Sequence, residues 1–266
     1  MFVPLQISQK EIDKLKYCVG NLSLPKIEKE QDEFYHGILS QVTKNGVIDG
    51  SNLSQLAFPF ADANYDVFIS YSHNDEDAAL YLYAYLRKQG LKCFLDSIIW
   101  NSADDLLSTI DRKYSMADDN IHYDYKKRNF STSHVHVMLS MAILEGIKRS
   151  ECCIFIKSNN SVSLGNGITS HTLSPWIYEE ISFAQNCKIS IPLRYKKPEL
   201  RMYSEGGIVE MRDSLSGEMK ISYNINIHDF QSIIFQDILN KFGTCMLDDI
   251  YKKYKITQNI TKMIQG

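Results

Sequence analysis

The chain has 266 residues, 44% of them apolar and 23% charged, a composition that supports a globular core and excludes disorder, collagen and fibrous coiled coils. Lys+Arg total 29 against 32 Asp+Glu, a net charge of −3, so no overall field draws a polyanion and no nucleic-acid partner is expected. No apolar stretch approaches the ~18 residues of a membrane span. Lys10, Asp13, Lys14 and Lys16 interrupt the place where a signal peptide keeps its apolar core. A cytoplasmic protein with no membrane partner is the expectation.

Residues 1–60 carry two helical patterns, one from about Ser8 to Val19 with Ile12, Leu15 and Val19 on one face, the other from about Lys26 to Val42 with Phe34, Ile38 and Val42 in register. They are expected to form an N-terminal helical extension. Beyond them strands and helices alternate, the signature of an α/β fold built on a parallel sheet. Tyr65–Tyr71 reads as a buried strand, with Asn74 capping the helix that follows and Gly90 ending it. Leu91–Leu95 is the second strand, and the Asp96–Ser102 loop leads into a helix running to about Tyr114.

Residues 116–131 are polar and read as an insertion. A helix over about 132–149 then feeds the third strand, Cys152–Lys157. Ser174-Pro175 opens a further helix by the N-cap and first-turn proline rule. Ile189–Leu193 is expected as the next strand, Lys220–Ile227 as a fifth and Phe230–Phe242 as a closing helix, with 246–266 a C-terminal tail. Cys93, Cys152 and Cys153 fall inside apolar strands, and no Cys-x-x-Cys pair occurs. Free thiols are therefore expected rather than a zinc site or disulfide framework.

Ligands of open parallel sheets bind beyond the carboxyl ends of the strands. That places Ser70, Tyr71 and Ser72, the 96–102 loop and the start of the helix at Ser174 on one rim. On a helical wheel Phe183, Trp176, Glu180, Ala184, Ile177 and Ile181 share one arc, and Glu179 falls outside it. A carboxylate on an apolar face is costly unless paired or used; the plain alternative is that both glutamates only favour the helix N-terminal dipole. His134 and His136 point to different sides of their helix and suggest no metal site. Gly165-Asn166-Gly167 lacks the third glycine of a phosphate cradle and reads as a flexible loop.

Asp66-Val67-Phe68-Ile69-Ser70-Tyr71-Ser72 resembles the first-strand motif of the TIR (Toll/interleukin-1 receptor) domain family. Gly90–Asp96 resembles its second strand, and Ser97–Asp105 its BB loop. Ser174-Pro175-Trp176-Ile177-Tyr178-Glu179-Glu180-Ile181 resembles the Trp-x-x-x-Glu helix of its NAD-cleaving members. The resemblance covers about 61–245 and is nearest to prokaryotic TIR proteins of Thoeris-like antiphage defence. It implies a flavodoxin-like parallel sheet with helices on both faces, and cleavage of NAD+ at the nicotinamide–ribose bond to ADP-ribose or a cyclic ADP-ribose signal.

By the same resemblance Glu180 matches the catalytic glutamate. Trp176 matches the pocket tryptophan, Phe68, Ser70 and Tyr71 the strand-end residues beside the nicotinamide, and Trp100 and Ser102 the loop that closes the site. NAD+ enters as substrate, with no separate cofactor and no metal. The resemblance also implies a homo-oligomer through TIR–TIR contacts and a downstream effector that responds to the nucleotide product. Serine, histidine and asparagine follow the first strand where many members carry basic residues.

The chemistry agrees with a lone carboxylate. Nicotinamide departs neutral from a cationic pyridinium and needs no general acid, unlike the alkoxide leaving group of an ordinary glycosidase. A TIR interaction module without turnover is the alternative function, and a nucleoside-processing enzyme such as a deoxyribosyltransferase a more distant one.

Overall fold

The computed structural model describes residues 3–26, 32–100, 103–119, 121–164, 170–188, 191–195 and 222–256. In chain order the elements begin with β1 (Val3–Ser8), α1 (Gln9–Val19), α2 (Asp32–Val42), the hairpin β2 (Thr43–Lys44) and β3 (Val47–Ile48), and α3 (Gly50–Ala57). Next come β4 (Tyr65–Ser70), α4 (Glu76–Lys88), β5 (Cys93–Phe94), α5 (Asp96–Ile99), α6 (Ala103–Tyr114), α7 (Tyr125–Arg149) and β6 (Ser150–Lys157). The last are β7 (Ser163–Leu164), β8 (Ser170–Thr172), α8 (Pro175–Asn186), β9 (Tyr223–Ile225), β10 (Gln231–Ile233), α9 (Phe235–Ile238) and α10 (Gly243–Lys253).

Five strands form a wholly parallel central sheet in the order β10-β1-β6-β4-β5. Side-chain alternation sorts its two faces. Val67 and Ile69 of β4 and Cys152, Ile154 and Ile156 of β6 join one buried cluster with residues of α1, α4 and α10. Phe68 of β4 and Cys153 and Phe155 of β6 join the other, with residues of α2, α3, α6, α7 and α8. A parallel sheet covered on both faces by helices is thus present as expected. Gly90 ends α4 at φ +87°, its N–H donating to the carbonyl of Arg87 at 2.9 Å.

The first residues differ from the helical reading. Helices α1, α2 and α3 form, but Val3–Ser8 is a strand, and it lies second from the edge, paired to β6 from Val3↔Cys152 to Ser8↔Lys157. The signal was present as strict alternation: Val3, Leu5 and Ile7 are buried while Pro4, Gln6 and Ser8 are half-buried. Pro4 precedes the Leu5–Ile7 stretch that pairs with β10, so it sits where the strand has one neighbour and a missing N–H is tolerated. The Gln6 amide donates to the carbonyls of Ile227 (3.2 Å) and Phe230 (2.9 Å), tying the loop before β10 to this strand.

Counted from β4, four places of a flavodoxin-like order are filled as its topology requires, and β1 takes the fourth, for which Ile189–Leu193 was expected. Of that segment, 189–190 lie outside the described residues. Leu193–Tyr195 forms a 3-10 turn held at the far end of β6. Arg194 there forks onto Glu151 (2.6 Å to each oxygen) and reaches Asp248 at 2.7 Å.

Later elements also differ. Tyr223–Ile225 is a strand, but it pairs with β8 in a small antiparallel side sheet. Gln231–Ile233 is the central sheet's edge strand where a helix was expected. Residues 246–253 continue α10, which buries Met246, Leu247, Ile250 and Tyr251 and is core rather than tail. Within the expected 116–131 insertion, Met116 and Tyr123 bridge, and α7 begins at Tyr125, capped by the Asp124 carboxylate on the Lys127 N–H at 2.8 Å.

Because β1 is internal to the sheet, it is expected to carry stability out of proportion to its position in the chain. Leu5 is wholly buried, so Leu5→Ala should cost about 2–5 kcal/mol, read as a lower urea midpoint at unchanged slope. A shift near zero would place β1 outside the cooperative core.

Candidate functional site

β4 and β5 are neighbours in the parallel sheet, and their carboxyl ends deliver Ser70 and Tyr71 beside Asp96 and Ser97. α8 completes the site from the face that also holds Phe68. Its start is fixed locally: the Ser174 hydroxyl accepts from the Ile177 N–H at 3.3 Å and Pro175 occupies the first turn. Its buried stripe is Ile177, Glu180, Ile181 and Ala184, with Trp176 and Phe183 packed alongside. The wheel placed Glu180 inside this stripe, and there it lies.

Glu180 is 7% exposed, and its Oε2 accepts a hydrogen bond of 2.5 Å from the Ser70 hydroxyl, across 110 residues of chain. Burial, and then the nearby Asp96 carboxylate, hold the Glu180 carboxyl well above the usual range, partly opposed by the Ser70 bond. Asp96 is raised too, again chiefly by burial, with the Ser97 N–H, His73 and the Tyr71 hydroxyl pulling the other way. The Tyr71 phenol is pushed up by burial and by Asp96. Its hydroxyl and that of Ser97 are buried without a complete hydrogen bond. Among the described residues neither Glu180 nor Asp96 makes an ion pair. A buried and a half-buried acid thus share one strand end, with no bonded cation among the described residues.

Trp176 is half-buried, and the His136 ring of α7 meets it edge-on, centroids 5.3 Å apart. Glu179 is not the solvated residue the wheel suggests: burial raises its carboxyl, and a bond with Ser140 of α7 opposes that rise.

Other expected site residues lie elsewhere. Phe68 is 1% exposed, stacked on Phe94 at 5.0 Å and closed over by Gly146, where an added Cβ would come within 3.3 Å of the ring. Trp100 is buried among Phe58, Phe60 and Phe94, and its indole N–H donates to the Pro59 carbonyl at 2.7 Å. Both act as core beneath the site in this conformation. Ser102, and the Gly165–Gly167 loop, lie outside the described residues. Asn74 is exposed and does not cap α4; a 3-10 turn over His73–Asp75 intervenes.

In the sequence the 96–102 loop was marked without Asp96 being singled out, His136 was weighed only as a metal ligand, and Ser140 was not named. The position of Asp96 directly after the second strand was an available signal for the first. Only tertiary packing of α7 on α8 brings the other two in.

The raised carboxyl has a stability consequence. A group whose folded-state pKa lies above its unfolded value supports the fold fully below the unfolded pKa, and that support is lost as pH rises through the folded pKa. Glu180 should therefore destabilise the protein increasingly from about pH 4.5 upward. Glu180→Gln keeps the shape without the charge, so its melting temperature should match wild type at low pH and exceed it at pH 8 by about 2–4 °C for each ~1 kcal/mol relieved. A variant less stable at pH 8 than at pH 5, relative to wild type, would refute the buried charge.

Comparison with known proteins gives one family match: the model described as TIR domain matches residues 67–121, about a fifth of the chain. No curated protein and no solved structure gives a significant match. The matched stretch runs from β4 through α4, β5 and α6, and stops well before Trp176 and Glu180. Together with the five-stranded parallel sheet and its flanking helices, this match supports a TIR domain of flavodoxin-like fold.

Proposed function

We propose that this protein is an NAD+-cleaving TIR enzyme in which Glu180 stabilises the ribosyl cation as nicotinamide leaves. The observation that carries the reading is the Ser70–Glu180 hydrogen bond. It seats a buried carboxylate, four residues after Trp176, at the strand end where open α/β sheets bind ligands.

The bond that breaks joins the anomeric carbon to the pyridinium nitrogen. Its electron pair goes to nitrogen, and neutral nicotinamide departs. Positive charge then develops on the ribose, and a desolvated carboxylate interacts with it far more strongly than one in water. The substrate's own cation supplies what Glu180 and Asp96 lack in the free protein, so binding favours their ionised forms. Water at the anomeric carbon gives ADP-ribose and a proton; an internal nucleophile gives a cyclised product. Antiphage signalling, with an effector that reads the nucleotide, is the role the Thoeris-like resemblance suggests.

One observation favours a second reading, a TIR interaction module without turnover. Glu180 is almost wholly covered and Phe68 and Trp100 are packed as core, so this conformation presents little to a ligand.

Incubation with NAD+, with products resolved by mass spectrometry, separates the two. Wild type should release nicotinamide, Glu180→Gln should lower the rate by at least about three orders of magnitude, and Glu179→Gln should remain within about ten-fold of wild type. Equal loss in both glutamate variants would unseat Glu180, and no nicotinamide from wild type at any concentration would favour the module.

The pH profile gives a second test. Glu180 must be ionised to act, so kcat/KM should rise with pH through a value above the ordinary carboxylate range. The Asp96 carboxylate is one cause of the rise at Glu180. Asp96→Asn removes the neighbouring negative charge and should move this acid limb to lower pH; an unmoved limb would show that Asp96 does not act on Glu180.

A further inference from the structure

The outer face of α7 carries an apolar stripe that stays exposed among the described residues. Phe130 is 69% exposed, Val137 63% and Met141 55%, and His134 lies between them with its ring edge-on to Phe130 at 4.4 Å. At ~100° per residue these four fall within an arc of about 60°. The buried side of the same helix is Ser131, Val135, Ala142, Ile143, Gly146 and Ile147, so the stripe is surplus to the core.

The spacing of the stripe is 4-3-4, the seam pattern of helices that pack at about 20° to one another. It reads the same in both directions. An antiparallel copy, turned about a two-fold axis between Val135 and His136, sets Phe130 against the partner's Met141 and His134 against the partner's Val137.

The charges fit the same operation. Lys127 and Glu145 lie on one flank of α7 at nearly equal distances from that axis, with opposite sign, so each meets the other's counterpart in a second copy. Glu145 keeps a side chain 45% exposed while bonded to Arg149, and Lys127 uses one donor on the Met116 carbonyl at 3.0 Å, leaving its others for solvent or a partner. An unrelated partner would require neither the symmetric spacing nor the mirrored charges.

We infer that the Phe130–His134–Val137–Met141 face of α7 pairs antiparallel with the same face of a second copy of this chain, with Lys127 against the partner's Glu145. The inference is independent of whether Glu180 cleaves NAD+. The strip from Lys127 to Glu145 is about 27 Å long and one helix wide, less than the ~1,200 Å² of a standard stable interface, so the dimer is weak and concentration-dependent.

Sedimentation velocity over a wide range of protein concentration tests this without an activity assay. The weight-average mass of wild type should climb towards that of a dimer, and Val137→Glu, at an exposed position, should stay monomeric with an unchanged melting curve. Lys127→Glu and Glu145→Lys should each raise the dissociation constant roughly ten-fold, and the double reversal should restore it. A wild type that remains monomeric throughout, or a dimer that Val137→Glu leaves intact, would overturn the proposal. Single reversals not rescued by the double would overturn its antiparallel register.

Discussion

A buried carboxyl that no side-chain cation among the described residues neutralises governs this molecule's site. Removing a charged group from water is among the most expensive single events in folding, and here Glu180 is removed at a strand end with the half-buried Asp96 nearby. The surroundings reduce the cost without abolishing it. Ser70 gives Glu180 one hydrogen bond, and the Ser97 N–H, His73 and Tyr71 temper Asp96. Asp75, equally buried, is held by the Ser158 hydroxyl and the Asn160 amide, and two further buried acids meet cations. Asp237 receives the Lys253 ammonium at 2.5 Å and the Tyr254 hydroxyl at 2.7 Å, and Asp111 receives the Arg128 guanidinium at 3.2 Å. Those two carboxylates hold helices together, whereas Glu180 has one hydroxyl donor and no such partner among the described residues.

Holding two such acids in place demands a rigid frame, and the sheet supplies it from both ends of the chain. β4 and β6, which pair along almost their whole length, set the position of Ser70. β1 then backs β6 on its other side, β10 closes that edge through β1, and α10 covers the far face. The strand end is therefore braced by segments more than 200 residues apart in sequence. An internal slot of the sheet is thus filled by Val3–Ser8 although α8, which carries Glu180, lies much later in the chain.

Legibility in the sequence followed locality. The wheel of α8 was readable because an N-cap serine, a first-turn proline and an apolar arc all sit within eleven residues, and the structure buries four of the six side chains in this arc and packs Trp176 and Phe183 alongside. Tyr65–Tyr71 and the glycine stop at Gly90 were readable for the same reason. The role of Val3–Ser8 was harder to see: its alternation of buried and half-buried side chains is a strand signal, but six residues at a terminus say nothing about which neighbour they pair with. Gln231–Ile233 is shorter still and merges into the helical pattern around it. At the site, Trp100 shows the limit from the other side. An aromatic next to a loop has no local mark that distinguishes a ligand contact from a core contact, and only the neighbouring Phe58, Phe60 and Phe94 decide it.

α7 joins the site to the surface. On its inner side His136 leans on Trp176 and Ser140 bonds Glu179, so two residues of α8 that precede Glu180 are positioned by one helix. On its outer side the same helix carries Phe130, Val137 and Met141 exposed to solvent. Packed elements transmit small displacements because close-packed interiors deform little and shift as units. Any load on the outer stripe of α7 is thus borne by the contacts that back Trp176 and Glu179, four residues and one residue before the buried Glu180 carboxyl.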